Sequence, residues 1–371
     1  MNICLIGNSL TSLVLAKSLV NKKIKITMYY KNKFNMGNNT RTTGISSNNI
    51  KFIQKEIIKI RKSFLWDINQ IEVYNKYHDN KILNFNEPKK KLFFVLKNNE
   101  LYKLLYQDLK KNINFKKKLI KNYKMYDKIL KNSDYDLIIN CDAKNRISKK
   151  YFSKNIYKDY NSTAYTTIIN HKKIKNKKAV QIFTKYGPIA FLPMSEEKTS
   201  VVCSIKNNIQ KIRFTEKECK KFILTHNMHY KIKNLTKIDK FKLEFRISRN
   251  YFSGKILAFG EGLHQIHPLA GQGFNMTIRD IKILLEIITN KKNLGLQLDQ
   301  TINEDFENKS KHLNFIFSSG IDFILEFFNF DNYYLKYYSN KVIKNLNENK
   351  FLNKVFINLA DRGLINKTII E

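Results

Sequence analysis

Ile3, Cys4, Leu5 and Ile6 form an unbroken apolar run that stops at Gly7, after which apolar residues recur at Leu10, Leu13, Val14, Ala16, Leu19 and Val20. A short continuous run followed by a three-to-four spacing predicts a buried strand, a tight turn and a helix with one inward face. KIKITMYY (23–30) alternates in its first half and is rich in Ile, Thr and Tyr, which suits a second strand. Together these make a βαβ unit, whose right-handed crossover sets the two strands parallel. Ile50, Ile53, Ile57, Ile60 and Phe64 predict a helix over residues 48–64, and Leu101, Leu104, Leu105 and Leu109 a shorter one. YDLIINCD (135–142) and KILAFG (255–260) read as strands buried on both faces, and a helix is expected over about 274–288.

Between Tyr160 and Phe245 the texture changes to TAYTTIIN, AVQIF, IAFLPM and TSVVCSI, separated by Lys, Asn and Glu turns. This pattern predicts an antiparallel sheet inserted in an α/β domain. Beyond about residue 300 the chain reads as helical and aromatic-rich, with Phe315, Phe317, Phe323, Phe327, Phe328, Phe330, Tyr333, Tyr334, Tyr337 and Tyr338 close together.

With 371 residues, 43% hydrophobic and 27% charged, the chain is long and apolar enough for two or three domains, which excludes a disordered or disulfide-stapled class. Its formal charge of +37 comes from 68 Lys and Arg, of which only eight are Arg. Without the bidentate Arg fork and without a recognised motif, no nucleic-acid partner is expected. Spread lysines fit a solvated surface first and an anionic membrane face second. Cys4, Cys141, Cys203 and Cys219 lie far apart with no zinc spacing, so a reducing compartment and no metal are expected. The N-terminus lacks a basic leader and no run of 18 apolar residues exists, so the expected place is the cytoplasm, with a peripheral position on the inner face of the membrane as an option.

Glycine and proline number only twelve and four, yet Gly254, Gly260, Gly262, Gly271, Gly273 and Pro268 fall within one stretch of about twenty residues. That stretch leads from a strand into a helix N-terminus, whose unpaired amides and dipole favour an anion or a polarised carbonyl. The first turn, GNSLTS (7–12), sits where a dinucleotide fingerprint would sit, with Gly7 kept and Ser9 and Ser12 at the other two small positions. Tyr29 and Tyr30 stand where an acid would hold a ribose. His264 and His267 have no third ligand near in sequence, which speaks for packing, with His267 placed beside a ligand, and against metal.

GEGLHQIHPLAGQGFNMTIRD (260–280) resembles the GDAAHxxHPxAGQGxNxGxxD signature of the class A FAD-dependent aromatic-ring monooxygenases, in the branch that hydroxylates ubiquinone precursors. RTTGIS (41–46), YDLIINCDAKNRIS (135–148) and YGPIAFLPM (186–194) are similar to further segments of that family in the same order. Three positions depart from the pattern: Glu261 stands for Asp, Ala143 for Gly and Asn99 for Arg.

The resemblance implies an α/β fold. A Rossmann-like FAD-binding domain with a parallel sheet would be made of 1–68, 92–155 and 245–300. A mostly antiparallel substrate domain would be made of 69–91 and 156–244, with a helical C-terminal region at 301–371. It implies an enzyme whose FAD is reduced by NAD(P)H or another donor and uses dioxygen to hydroxylate a polyprenylated aromatic ring, alongside other ubiquinone-biosynthesis proteins. By the same resemblance Gly7, Ser9 and Ser12 would line the FAD pyrophosphate, and Arg41 its phosphates or ribityl chain. Gly260 and Glu261 would approach the ribityl and pyrophosphate, and Pro268, Leu269, Ala270, Gly271, Gln272, Gly273, Phe274 and Asn275 the flavin ring. No side chain is expected to act as nucleophile, because the chemistry is the cofactor's. The polyprenyl tail would need a greasy surface, for which the aromatic C-terminal stretch and a face with Phe191 and Met194 are candidates. A non-catalytic scaffold of a membrane-associated assembly and a flavin-dependent isoprenoid reductase are the alternatives.

Overall fold

The computed structural model describes residues 1–31, 40–75, 80–86, 91–207 and 214–329. The strand Asn2–Ile6 is buried along most of its length because parallel partners flank it on both sides, Lys25–Tyr30 and Leu137–Asn140. Ile3 pairs with Ile26 and Leu137, and Leu5 with Met28 and Ile139, so apolar rows run across the sheet. Ile256–Ala258 extends it in parallel beyond Leu137–Asn140, and Phe115–Leu119 beyond Lys25–Tyr30. Phe252–Ser253 completes the six strands as an antiparallel edge. Burial on both faces is what makes the inner strands continuously apolar. The helix Leu10–Asn21 follows directly, with ten of its twelve residues buried.

The expected helix over 48–64 is shorter in the structure. An α-helix covers Ser47–Phe52, a wider turn Ile53–Ile57, and Ile58 is extended. The Asn21 carboxamide ends it by donating to the Glu56 and Ile57 carbonyls at 2.9 and 2.8 Å. The shorter helix expected around Leu101 spans Asn98–Lys110.

The change of texture after Tyr160 corresponds to a nine-stranded sheet built around the long strand Asn155–His171, which pairs antiparallel with Lys198–Lys206, Ile232–Leu235 and Asp239–Ser248. Gly187–Pro193, Lys178–Thr184, Gln70–Asn75 and Asn80–Asn86 continue it on one side, and the short strand His264–Gln265 closes the other. The helix Glu216–Thr225, opened by a capping box between Thr215 and Glu218, covers one face. Phe191 is buried there, stacked on Tyr230 with ring centroids 5.9 Å apart. Met194 packs instead with Ile68, Val95 and Ala179. The two therefore do not form the single greasy face expected of them, because an odd spacing along extended chain points side chains to opposite sides.

A small sheet of Thr42–Ser46, Phe93–Lys97 and Trp66–Ile68 lies beside the helix Gln272–Asn293, which in turn packs on the helix Thr301–Asn329. In that last helix Phe317 is buried and Phe315 and Phe323 are exposed. The side chains of Phe327 and Phe328, and all of Phe330, Tyr333, Tyr334, Tyr337 and Tyr338, lie outside the described residues.

Candidate functional site

Two loops carry most of the residues singled out from the sequence, one at the end of a parallel strand and one between the edge of the nine-stranded sheet and a helix. The first is the turn after Asn2–Ile6. Gly7 has φ +134°, and a Cβ there would come within 2.9 Å of Ser12 Oγ and 3.2 Å of Cys141 Cβ, so a side chain would collide while bending the wrong way. Ser9 caps the helix: its hydroxyl accepts from the Ser12 amide at 3.3 Å and lies 3.2 Å from the Ser12 hydroxyl. Asn8 turns outward to accept from Tyr102 Oη at 2.7 Å and Lys117 Nζ at 2.8 Å. At the end of the second strand, Tyr29 and Tyr135 bond hydroxyl to hydroxyl at 3.0 Å in the core.

Facing this turn, Gly260 has φ +58° and lies so close to the first helix that a Cβ would sit 2.5 Å from Thr11 Cγ2. Glu261 is exposed, and its carbonyl accepts from Arg246, which also reaches the Ala143 carbonyl at 3.5 Å. Arg246 thereby ties the 260–262 turn to the 142–145 loop. Burial lowers its pKa, partly offset by the Glu261 and Glu244 carboxylates. The 142–145 loop is shaped from within by Asn140, whose Nδ2 donates to Ser148 Oγ at 2.8 Å and whose Oδ1 accepts from Asn145 at 2.7 Å.

The second loop runs from His264 to the helix at Gln272. Gly271 takes a left-handed conformation (φ +68°) one residue before the helix, with the Gly44 backbone so near that a Cβ would come 3.0 Å from Gly44 N. Asn275 locks this approach. Its Nδ2 donates to the Gly44 carbonyl at 2.9 Å and the Gly271 carbonyl at 3.3 Å, while its Oδ1 accepts from Ser46 N at 3.0 Å and Asn49 Nδ2 at 2.9 Å. Asn275 is thus used up in holding the loop against the strand Thr42–Ser46. Gln272 Oε1, in contrast, is buried with no partner among the described residues. Pro268 precedes a single turn, Leu269–Gly271, that delivers the backbone of Ala270 to the helix start, followed by the half-buried Gly273 and Phe274.

His267 is buried edge-on against Tyr160, with ring centroids 5.5 Å apart, and its Nδ1 has no partner among the described residues. Burial pulls its pKa down to about 3, so the imidazole is neutral. His264 differs: its Nε2 lies 2.6 Å from the Asp280 carboxylate, whose other oxygen accepts from Asn314 at 2.9 Å. This chain of bonds joins the short strand, the helix Gln272–Asn293 and the helix Thr301–Asn329. Arg279 lies over Phe317 at 4.2 Å. Among the described residues no three His, Cys, Asp or Glu side chains form a metal site.

The structure brings Gly7, Ser9, Ser12, Gly260 and Glu261 to one end of this region and Pro268 to Asn275 to the other. Arg41 is exposed, with its guanidinium 4.7 Å over the Phe241 ring. Sequence reasoning missed Thr11, Arg246, Asn140 and Lys117. Only Asn140 carried a signal, as a polar residue ending an apolar run; the others depend on contacts distant in sequence.

The chain shares its fold with solved structures that include a monooxygenase and a protein complexed with FAD. Residues 149–291 match the FAD binding domain family. The chain superposes on p-nitrophenol 4-monooxygenase of Pseudomonas putida with a TM-score of 0.76, covering 98% of both chains at 9% identity. It also matches HpxO of Klebsiella pneumoniae complexed with FAD and uric acid, with a TM-score of 0.73 over 99% of this chain and 98% of that one, at 10% identity. In sequence the chain is similar to the mitochondrial ubiquinone biosynthesis monooxygenase of Drosophila melanogaster, 24% identical over 206 residues, covering 45% of this chain and 43% of the relative. It is 26% identical over 149 residues to the 3-demethoxyubiquinol 3-hydroxylase of Escherichia coli, covering 38% and 37% respectively. The matched segments span less than half the length of these curated relatives.

Proposed function

We propose that the protein is an FAD-dependent monooxygenase that hydroxylates the aromatic ring of a polyprenylated ubiquinone precursor with dioxygen, using NAD(P)H or another external reductant. The observation that carries this reading is the helix start at Gly271–Asn275, pinned to Gly44 and Ser46 by Asn275, with the Gln272 carboxamide oxygen unpartnered among the described residues. A side chain at Gly7 would collide with Ser12 and Cys141, and one at Gly271 with the Gly44 backbone, so both loops depend on glycine for the tight shape that this reading asks of a dinucleotide turn and a ring-binding loop.

Bound FAD would supply the electron transfer and the activation of dioxygen. Gly7, Ser9, Ser12, Gly260 and Glu261 would hold its pyrophosphate and ribityl chain, and Pro268, Ala270, Gly271, Gln272, Gly273 and Phe274 its ring. Amides of the first helical turn stabilise negative charge near them, because they lack intrahelical partners and lie at the positive end of the dipole. His267, neutral and enclosed, helps keep water out and offers an acceptor nitrogen without adding a charge. The pinned loop sets position in advance, which is how such a site contributes to rate.

Among the described residues no helix is long and apolar enough to cross a membrane. The surplus of lysines and the exposed Phe315, Ile316 and Phe323 support work in the cytoplasm at the inner membrane face, beside other ubiquinone-biosynthesis proteins. Ser9 favours a second reading, a non-catalytic scaffold, because its hydroxyl takes the Ser12 amide that a phosphate would otherwise bind. Incubation with FAD, gel filtration and a visible spectrum separate the two. Retained flavin followed by substrate-dependent dioxygen consumption is the expected result, and a folded protein that retains none would overturn the enzyme reading.

A further inference from the structure

A dinucleotide brings two phosphate charges to the turn after the first strand, and this chain has no carboxylate at the end of its second strand and serines in place of two glycines. What it has instead is a cation. Lys117 belongs to Phe115–Leu119, the strand beside Lys25–Tyr30, where it pairs with Met28. Its side chain reaches Asn8, the residue after Gly7, at 2.8 Å and comes 3.4 Å from Tyr102 Oη. The rings of Tyr106 and Tyr30 flank the ammonium at 4.4 and 4.6 Å from their centroids.

All these partners are neutral. Among the described residues no carboxylate lies within ion-pair distance of Lys117, whereas Lys17 and Lys22 nearby are paired with Asp108 at 2.6 Å and Glu56 at 3.2 Å. Removing an ammonium from water without an opposite charge is unfavourable, and here burial pulls the lysine's pKa below its usual value. Two rings and two hydrogen bonds hold the charge in one place at the mouth of the turn, which is how a chain prepares a cation for an anion that arrives later.

We propose that Lys117 is a dinucleotide-binding residue, its ammonium neutralising the pyrophosphate of FAD from the strand beside the one that usually carries the adenosine-binding acid. The assignment rests on the FAD reading above. It is tested on the full chain by titrating FAD and, separately, riboflavin, which has the flavin ring but no phosphate, at low and at physiological ionic strength. For Lys117→Gln the expected result is FAD binding weaker by about tenfold or more and less dependent on salt, with riboflavin binding unchanged and Lys117→Arg restoring the affinity for FAD.

Lys117→Met, which keeps an apolar stem between the two rings and removes the charge, should weaken FAD in the same way and decides the matter if Lys117→Gln does not fold. Wild-type affinity and salt dependence in the folded Gln variant overturn the assignment alone, and so does an equal loss of FAD and riboflavin. A wild-type protein that binds riboflavin and FAD equally well also overturns it, whereas one that binds neither overturns the proposed function and the assignment with it.

Discussion

Replacing Asn275 with Ala measures how firmly the glycine loop is held. The side chain is buried, and its loss breaks its three shortest hydrogen bonds, with the Ser46 amide, the Asn49 carboxamide and the Gly44 carbonyl at 3.0, 2.9 and 2.9 Å, besides the longer one to the Gly271 carbonyl. Lys282 fixes Asn49 from the other side at 2.7 Å, so Asn49 cannot swing to a new partner without breaking that bond. At about 1 kcal/mol net per hydrogen bond, three lost bonds amount to about 3 kcal/mol, a large share of the roughly 5–15 kcal/mol by which proteins are stable. Unfolding entropy scales at about 2.1 cal/mol/K per residue, so a chain of 371 residues should melt about 4 °C lower. Asn275→Asp keeps the acceptor but sets a buried carboxylate against the Gly44 carbonyl and should cost at least as much. Thermal melting of the three proteins, with FAD affinity measured alongside, is the assay. An Ala variant melting within about 1 °C of wild type and binding FAD unchanged would show that the loop is held by something else.

Two further outcomes follow from other contacts. Gly260→Ala should destabilise by about 2 kcal/mol, since its Cβ meets Thr11 Cγ2 at 2.5 Å on a backbone with φ +58°, and Thr11→Ser, which deletes that methyl, should recover part of the loss; no recovery in the double variant would leave only backbone strain as the cause. His267, with a pKa of about 3 when folded against about 6.5 when unfolded, binds its proton only in the unfolded chain between those values, so its contribution is complete above pH 6.5 and declines as pH falls towards 3. Between pH 7 and pH 5 the loss is about 2 kcal/mol. His267→Gln should flatten the fall in melting temperature between pH 7 and pH 5 by that share, and an identical pH profile in both proteins would refute it.

Much of the fold can be read from the chain because its strongest signals are local. Ile3 to Ile6 are apolar without alternation since parallel strands cover both edges and helices the faces, and Gly7 and Gly271 are glycines since their φ angles and near neighbours admit nothing else. The periodic isoleucines beyond residue 50 mislead for a physical reason: they satisfy a helix of five turns and equally a short helix, a wide turn and an extended stretch. The choice is made by Asn21, more than 30 residues away. Arg41 shows the same limit at the site. Its position beside the Thr42–Ser46 strand is readable, but the Phe241 ring beneath its guanidinium belongs to the inserted sheet, 200 residues on, and has no local signal. Arg246 went unnoticed because one arginine among the alternating residues of a strand resembles any solvated cation until the carbonyls of Glu261 and Ala143 are placed before it.

Asn275 also sets the order in which the molecule can be completed. Its partners Ser46 and Gly44 precede it by 229 and 231 residues, and the entire inserted sheet lies between them. Closing so long a loop costs entropy that local structure cannot offset early, so this junction belongs to the late, slow part of folding. During synthesis the first strand, helix and turn are exposed for a long interval before the glycine loop exists to face them. Cofactor capture would then report on the finished protein and shift the folding equilibrium only at its last step, adding stability in proportion to the logarithm of free cofactor over its dissociation constant.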